Sequence, residues 1–234
     1  MSPLLRAARE GYVHVVRVLL SAGGQPNLSD HAGTSPLWAV CQDGTGAQLV
    51  RALLAGGATV DLRSHCGASP LHIACCRGHV AEARAMLAAG AEVDLRDHAG
   101  TSPLFAAAQG GHSEVVRALL STGAKVDLQD KHGLSPLRAT AEAGHVGTIY
   151  ILLSGGAKVD LQDEAGCSLL WATCHAGHMG ALGALLAAGA EVDLLDGEGG
   201  SPLLEACREG HVEAVRALLA AGAKADLLDT KVGM

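Results

Sequence analysis

The chain has 234 residues and a formal net charge of −7, and its composition is 49% apolar but only 2% aromatic. The acidic balance disfavours nucleic-acid binding, which usually requires a basic face. So few aromatic rings predict a core of Ala, Leu and Val in short, closely packed helices, and they argue against a β-sandwich or barrel. No apolar run reaches the roughly 18 residues of a membrane span, so we expect no membrane segment and a location in the cytosol or nucleus.

A Ser-Pro-Leu motif recurs along the chain at a nearly fixed spacing. It begins at Ser35, Ser69, Ser102, Ser135 and Ser201, with a clipped copy at Ser2 and a copy without proline at Ser168. Successive serines are 33 residues apart, except for one step of 34 residues from Ser35 to Ser69. A constant period of this size predicts a solenoid, in which each unit buries its apolar face against its neighbours.

One repeat, 97–129, illustrates the predicted elements. Residues 97–101 predict a turn, and the Ser-Pro pair that follows predicts the N-cap and first position of a short helix. A second helix is predicted over 113–121, because its apolar residues recur at helical spacing. Gly123 ends that helix, and residues 124–128 run extended into the next turn. We call each turn with its adjoining extended segments a finger, and the two helices of a repeat the first and the second helix.

Three repeats depart from this pattern. The repeat at 30–63 has one extra residue around 44–46, between its helices. The repeat at 163–195 lacks the helix-starting proline and carries Gly180 and Gly183 in its second helix, each destabilising by about 1 kcal/mol relative to Ala. The repeat at 130–162 replaces the usual apolar and basic pattern of its second helix with Gly-Thr-Ile-Tyr. We expect these repeats to be the weakest layers.

The repeated motifs resemble those of the ankyrin repeat. Residues 69–74 read Ser-Pro-Leu-His-Ile-Ala, residues 78–79 read Gly-His and residues 90–94 read Gly-Ala-Glu-Val-Asp, close to the family pattern. The resemblance implies an all-α solenoid of stacked helix–turn–helix units with projecting β-hairpin-like loops. In chain order, we predict a single array of repeats at 1–29 (truncated), 30–63, 64–96, 97–129, 130–162, 163–195 and 196–228, followed by a tail at 229–234.

A protein-binding role is the function that this pattern favours. The resemblance gives a mode of action and no pathway, and we interpret the chain as a non-enzymatic scaffold or adaptor. The fingers and first helices are expected to line one groove that holds a protein partner by shape and charge complementarity. Structural demands on the sequence are weak at the finger tips and at the exposed ends of the first helices. The candidate partner-binding residues are Trp38, Gln42, Asp43, Arg63, His65, Cys66, Arg77, Arg96, His98, Phe105, Gln109, Lys131, His132, Leu134, Glu142, Glu164, Trp171, His175, Glu198 and Arg208.

The charges of these candidates are graded along the chain. The middle repeats contribute the basic residues Arg63, Arg77, Arg96 and Lys131. Later repeats contribute the acidic candidates Glu142, Glu164 and Glu198, together with Glu209 beside Arg208. A partner with acidic groups toward the middle repeats and basic groups toward the C-terminal end would be complementary, and ordinary surface charge is the alternative explanation.

Trp38, Phe105 and Trp171 occupy the first-helix position that His72 takes in its own repeat. They lie two repeats apart, so they cannot form one aromatic cage around a cation. Partly exposed rings along a groove would be binding anchors, and the alternative is that each ring covers its own repeat.

The histidines suggest structural roles rather than a metal site. Five follow the glycine between the helices and are expected to hydrogen-bond neighbouring turns: His79, His112, His145, His178 and His211. Four others lie at finger tips: His31, His65, His98 and His132. Layers about 10 Å apart are too distant for the tip histidines to share one zinc ion, whose ligands lie about 2 Å from the metal. We predict no metal site, cofactor or catalytic group.

The seven cysteines are odd in number and include no C-x-x-C pair, so neither a disulfide framework nor a zinc ribbon is expected. Cys41, Cys75, Cys174 and Cys207 share one repeat position and are predicted to be buried small hydrophobes. Cys66 and Cys167 are predicted to be exposed.

Two other functions are kept as alternatives. The chain could be the recognition part of a substrate receptor of a ubiquitin ligase, although residues 229–234 are too short to recruit the ligase. It could also be a small-ligand or nucleic-acid sensor that stacks its ligand on Trp38 and Trp171, although such platforms work with a positive groove.

The two ends of the array lack an obvious cap. We hypothesise that the chain is a splice form or a piece of a longer array, or that its uncapped ends self-associate. The apolar residues expected to lack cover are Leu4, Val15, Val16 and Leu19 at one end and Val215, Leu218 and Leu219 at the other.

Overall fold

The computed structural model describes residues 1–226. The proposed tail at 229–234 and the last two residues of the repeat at 196–228 lie outside this part. The chain divides into two compact units, an N-terminal unit, Met1–Lys125, and a C-terminal unit that begins at Val126.

Each repeat contributes a pair of helices. The N-terminal unit contains α1 Pro3–Arg9, α2 Val13–Ser21, α3 Pro36–Asp43, α4 Ala47–Ala55, α5 Pro70–Arg77, α6 Val80–Ala88, α7 Pro103–Gln109 and α8 Ser113–Ser121. The described part of the C-terminal unit contains α9 Pro136–Glu142, α10 Val146–Ser154, α11 Leu169–Ala176, α12 Met179–Ala187, α13 Pro202–Arg208 and α14 Val212–Ala220. The structure confirms the all-α repeat architecture, and none of the helices within residues 1–226 is long and apolar enough to cross a bilayer.

The serine of each motif caps its first helix, as the sequence predicts. The hydroxyl of Ser102, for example, accepts the backbone N–H of Phe105 at 3.1 Å, which satisfies one of the free donors at the helix start. The same cap forms at Ser168, which lacks the following proline, where the N–H of Trp171 donates at 3.2 Å. A proline is therefore dispensable for starting α11.

The first helices of each unit pack side by side, and the second helices form a row behind them. In the N-terminal unit α5 lies between α3 and α7, and α6 lies between α4 and α8. In the C-terminal unit α11 lies between α9 and α13, and α12 between α10 and α14. The core is made of small residues on the first helices and larger ones on the second, such as Ala107 and Leu119, both fully buried. This division lets the layers approach closely.

The fingers are turns held by a side chain and linked to one another. In the finger at 97–101 a single carboxylate oxygen of Asp97 accepts the N–H groups of Ala99 and Thr101, both at 2.9 Å. Neighbouring fingers are joined by a backbone bond, such as the one from His98 to Cys66 at 3.0 Å. No strand forms within residues 1–226, so the β-hairpin-like loops are turns linked by single bonds.

The extra residue in the repeat at 30–63 is placed between α3 and α4. Gly44 ends α3 in the left-handed conformation, with φ 67°, and Gly46 precedes α4 with φ 113°. Both values favour glycine. The insertion therefore lengthens the connection and leaves both helices intact.

The apolar ends are better covered than the sequence suggests. Leu4, Val16 and Leu218 are buried, whereas Val15 and Leu219 are 46% and 43% exposed. The expectation of missing cover was wrong for the three buried residues, because the two helices of a terminal repeat bury one another's facing side chains. Leu19 and Val215 are half-buried.

Candidate functional site

Most candidate partner-binding residues lie on the surface. Within the N-terminal unit the exposed ones are Asp43, Arg63, His65, Cys66, Arg77, His98 and Gln109, and the half-buried ones are Trp38, Gln42 and Arg96. Within the C-terminal unit the exposed ones are Lys131, His132, Glu142, Glu164, His175, Glu198 and Arg208, and Leu134 and Trp171 are half-buried. Only Phe105 is buried among these candidates, at 4% exposure. The expectation of a partly exposed ring there was wrong, because this wholly apolar side chain packs into its unit instead of facing water.

The two tryptophans turn their polar atom inward. Trp38 and Trp171 are half-buried, yet the indole N–H of each is buried without a hydrogen-bond partner. Their exposed portions are therefore carbon edges, which suit apolar contact. Trp171 also stacks on His175, with ring centroids 5.3 Å apart and an interplanar angle of 11°.

His72 occupies the same first-helix position as Trp38 and is 6% exposed. Its Nε2 lies 3.8 Å from a carboxylate oxygen of Asp97, and its Nδ1 is buried without a partner. Burial lowers the pKa of His72, and the nearby Asp97 carboxylate opposes this effect only in part. The imidazole is therefore held neutral near pH 7, in keeping with a structural role.

Arg138 takes this position in the C-terminal unit and is only 5% exposed, a burial that the sequence analysis missed. Its guanidinium lies 3.2 Å from the carboxylate of Asp163 and donates to the carbonyls of Cys167 and Ser168 at 2.9 and 3.1 Å. It also donates to Glu142 at 2.8 Å, so this candidate partner-binding carboxylate is already paired. The sequence feature that could have predicted this cluster is an Arg at a position where three other repeats carry an aromatic residue.

A ladder of side chains ties the fingers together. Arg63 donates to the carbonyl of Gly67 in its own finger at 2.8 Å and to the carbonyl of Arg96 in the next. Gln129 in the C-terminal unit does the same with Gly133 and with the carbonyl of Gln162, the latter at 3.1 Å. Arg63 and Arg96 are candidate partner-binding residues whose guanidiniums also hold the fingers, since Arg96 likewise donates to Gly100 at 2.7 Å. Arg63, Arg96 and Gln129 are side-chain donors spaced 33 residues apart, and this spacing could have predicted the ladder.

His79 and His112 follow the predicted structural role. The Nε2 of His79 donates to the carbonyl of Gln42 at 3.2 Å, and that of His112 donates to Cys76 at 3.1 Å. Each ring fills the space beside the glycine that ends the first helix of the repeat before it. A Cβ added at Gly44 would meet the ring of His79 at 2.5 Å.

One cluster in the C-terminal unit brings metal-ligating residues together. His175, Glu205 and Glu209 offer ligand atoms within 4.8 Å of one another, the one such group of three found among residues 1–226. The sequence analysis missed it because Glu205, only 5% exposed, takes a helix position that is Ala in four of the other repeats. The Nδ1 of His175 lies 2.8 Å from Glu205, and a guanidinium nitrogen of Arg208 lies 3.5 Å from the other oxygen of Glu205. Arg208 thus already supplies positive charge to this cluster.

The cysteines divide into two chemical groups. Burial raises the pKa of the thiols of Cys41 and Cys75, and raises that of Cys174 to about 12. Cys66, Cys76 and Cys207 are exposed. Cys207 was wrongly predicted to be buried, because within the described residues α13 packs beside a first helix, α11, on one side only.

Cys167 was wrongly predicted to be exposed. It is 9% exposed, because the guanidinium of Arg138 reaches over the segment 167–168 and donates to its carbonyls. Burial raises the pKa of its thiol to about 11. Neither this thiol nor the buried ones have the lowered pKa of an activated nucleophile.

Comparison with known proteins is consistent with this geometry. A family model described as ankyrin repeats (3 copies) matches residues 4–97, 37–130, 83–163 and 137–229. A search of curated proteins gave no significant match.

Among solved structures, the chain is similar to the human ASB11 ankyrin repeat domain, with a TM-score of 0.85 and 28% identity over 96% of this chain and 99% of that one. It is also similar to the ankyrin repeat domain of Bcl-3, described as a unique member of the IkappaB protein family. That TM-score is 0.80, with 26% identity over 92% of this chain and 98% of that one. With the family model matching nearly its whole length and the paired helices in place, the chain belongs to the ankyrin-repeat family.

Proposed function

We propose that this chain is a non-enzymatic adaptor that binds a protein partner through its finger tips and the exposed ends of its first helices. Ankyrin repeats are generally protein-interaction modules, which supports the class of function. The residues at the tips support the location.

The observation that carries the proposal is the separation of rigid backbone from exposed side chains in the fingers. The carboxylate of Asp97 fixes the turn, while the adjacent His98 is exposed. In the same way Asp163 accepts the N–H groups of Ala165 and Cys167, both at 2.9 Å, while Glu164 is exposed. Side chains presented on a rigid backbone lose little freedom on binding, which favours affinity.

The chemistry of the two units differs at these positions. In the N-terminal unit the exposed tips carry His31, His65 and His98, and Arg77 is exposed at the end of α5. In the C-terminal unit the first tip carries Lys131 and His132, whereas the tips at Glu164 and Glu198 are acidic. We infer that a partner segment bound to the N-terminal unit is acidic and that one bound to the tips at 164 and 198 is basic.

The test uses direct contact rather than capture alone. A photo-crosslinking amino acid at position 98 reports on the tips, and one at position 216, exposed on α14, reports on the second helices. The tip variant combines His65→Ala, Arg77→Ala and His98→Ala, which spare the ladder residues Arg63 and Arg96. The control variant combines Glu213→Ala and Arg216→Ala, an exposed pair 3.0 Å apart.

We expect a partner protein that crosslinks through position 98, is no longer captured by the tip variant and is still captured by the control variant. The two variants should have equal melting temperatures. A partner that crosslinks only through position 216, or is captured equally by both variants, would overturn the proposal. The ubiquitin-ligase alternative stays a prediction. Its test is recruitment of a ligase by the same bait.

A further inference from the structure

The second helices of the N-terminal unit carry a shallow trough on the face opposite the first helices. One part, between α4 and α6, has a volume of about 710 Å³, and the adjoining part, between α6 and α8, has about 530 Å³. The two parts share Arg84 and Ala88. The trough therefore runs across three successive second helices.

The trough exists because α6 is unusually rich in small residues. Ala81 stands where α4 and α8 carry Gln48 and Glu114, and it is exposed at the edge of the trough together with Ala88. The only carboxylate of α6, Glu82, is 4% exposed and faces the interior. The floor is thus apolar and lacks negative charge from α6.

A row of guanidinium groups borders this floor. Arg17, Arg51, Arg84 and Arg117 occupy the same position in four successive second helices, and all are exposed. The carboxylate of Glu114 lies 3.7 Å from Arg84 and 2.8 Å from Arg117. Three of these arginines, Arg51, Arg84 and Arg117, line the trough, and Glu114 is the one carboxylate among its lining residues. The trough therefore carries excess positive charge on a chain whose formal net charge is −7.

We propose that this trough binds an acidic amphipathic helix of a protein partner. Apolar side chains spaced three and four residues apart would fill the alanine-lined floor, and flanking carboxylates would pair with the arginines. Neighbouring helices pack about 8–10 Å apart, so the path from Arg51 to Arg117 measures about 20 Å. A helix covers that distance in about 13 residues.

This surface differs from the fingers, so it goes beyond the proposed adaptor site. Binding at the two surfaces can be separated experimentally. The triple tip variant His65→Ala/Arg77→Ala/His98→Ala should bind the acidic helix as the unchanged chain does.

The test is fluorescence anisotropy with a fluorescein-labelled 16-residue peptide. The peptide has Leu at four positions spaced i, i+3, i+4 and i+7, which form one apolar face, and Glu at the other positions. We expect saturable binding that weakens with added salt. The double charge reversal Arg51→Glu/Arg84→Glu should weaken it by about tenfold or more. Glu114→Gln should strengthen binding by a few fold, and a misfolded variant could not produce this gain.

The matched control is Arg216→Glu in the C-terminal unit. Arg216 has the same helix position as Arg117 and a comparable partner in Glu213, 3.0 Å away, but it lies outside the trough. Its reversal should leave peptide affinity unchanged. Absence of saturable binding, equal binding of a peptide with Lys in place of Glu, or equal loss with Arg216→Glu would overturn the proposal. Capture by phosphatidylserine vesicles without peptide binding would also overturn it, in favour of a membrane surface.

Discussion

The buried carboxylate of Glu82 accepts a hydrogen bond from the backbone N–H of Gly46 at 2.7 Å, although 36 residues separate them. Gly46 belongs to the connection that holds the extra residue of its repeat. Glu82 stands one repeat later, at the second-helix position where α4 and α8 carry Leu49 and Val115. A polar side chain in the core of one repeat thus holds an irregular backbone in its neighbour.

We expect Glu82→Leu to destabilise the protein by about 1–3 kcal/mol, because the N–H of Gly46 loses its acceptor in a partly buried place. Glu82→Gln keeps an acceptor oxygen and should lower the free energy of unfolding by clearly less. Urea unfolding followed by circular dichroism measures both free energies. Equal losses for the two variants would mean that the hydrogen bond does not matter.

The two glycines of α12 should respond differently to alanine. Gly183→Ala should stabilise the protein by about 1 kcal/mol, because Ala is the better helix former and a Cβ at that position meets nothing within 4 Å. A Cβ at Gly180 would lie 2.8 Å from a methyl carbon of Val146, so Gly180→Ala should gain less or destabilise. Thermal unfolding of both variants checks this order, and the reverse order would contradict the packing of α12 on α10.

The cysteines should separate by reactivity. Cys66, Cys76 and Cys207 are exposed and should react with a thiol reagent such as DTNB in the folded protein. Cys41, Cys75, Cys167 and Cys174 should react only after unfolding, because they are buried and their raised pKa values keep them as thiols. Mass spectrometry after brief alkylation identifies the sites. Rapid labelling of Cys75 would show that α5 opens in the native state.

His72 should make stability depend on pH below neutrality. Its pKa in the folded state is lowered by burial, so as the pH falls the unfolded chain, with an ordinary histidine pKa of about 6.5, takes up the proton first. Stability is then lost as the pH falls from about 7 toward the lowered pKa. His72→Phe, which copies Phe105 of the next repeat, should flatten the stability profile between about pH 7 and pH 5.

The control for His72 is His31→Phe at an exposed finger tip. This variant should keep the slope of the unchanged chain in urea titrations at several pH values. If His72→Phe also keeps that slope, then protonation of another group is responsible for it.

Removing Arg138 should be among the most damaging single changes in the C-terminal unit. Arg138→Leu removes the cation that pairs with one carboxylate oxygen of Asp163 and the donor of two carbonyls, and loss of one partner from a buried ion pair costs about 3–5 kcal/mol. Adding Asp163→Asn should recover part of the loss, because the uncompensated charge is removed. A double-mutant cycle from urea unfolding measures the coupling, and simple additivity would contradict a direct interaction.

The repetition made the helices predictable, because the same caps and apolar spacing occur in every repeat. The second helix expected at 113–121 is observed as Ser113–Ser121, and the first helix starts at Pro103 after its Ser102 cap, as expected. These features depend only on local sequence. The type and position of the helices could therefore be predicted from the repeat, whereas the burial of Phe105, Cys167 and Cys207 could not.

Contacts that reach from one repeat into the next could not be predicted in the same way. Periodicity indicates which positions face a neighbour, but it does not say whether a long polar side chain there bends inward. Glu82 and Arg138 both turn into the core, and the guanidinium of Arg63 donates to finger carbonyls. Each outcome depends on which acceptor or donor the adjacent repeat offers.

The histidine rings also limit how repeats can be exchanged during evolution or engineering. The ring of His79 occupies the place that a Cβ at Gly44 would need, and His112 does the same beside Gly78. A cassette cut at the finger boundaries carries the histidine but leaves behind the glycine that accommodates it. We therefore expect duplication or transplantation to be tolerated best when the repeat on the N-terminal side of the junction has a glycine after its first helix, because a larger residue there would have to displace the histidine ring of the next repeat.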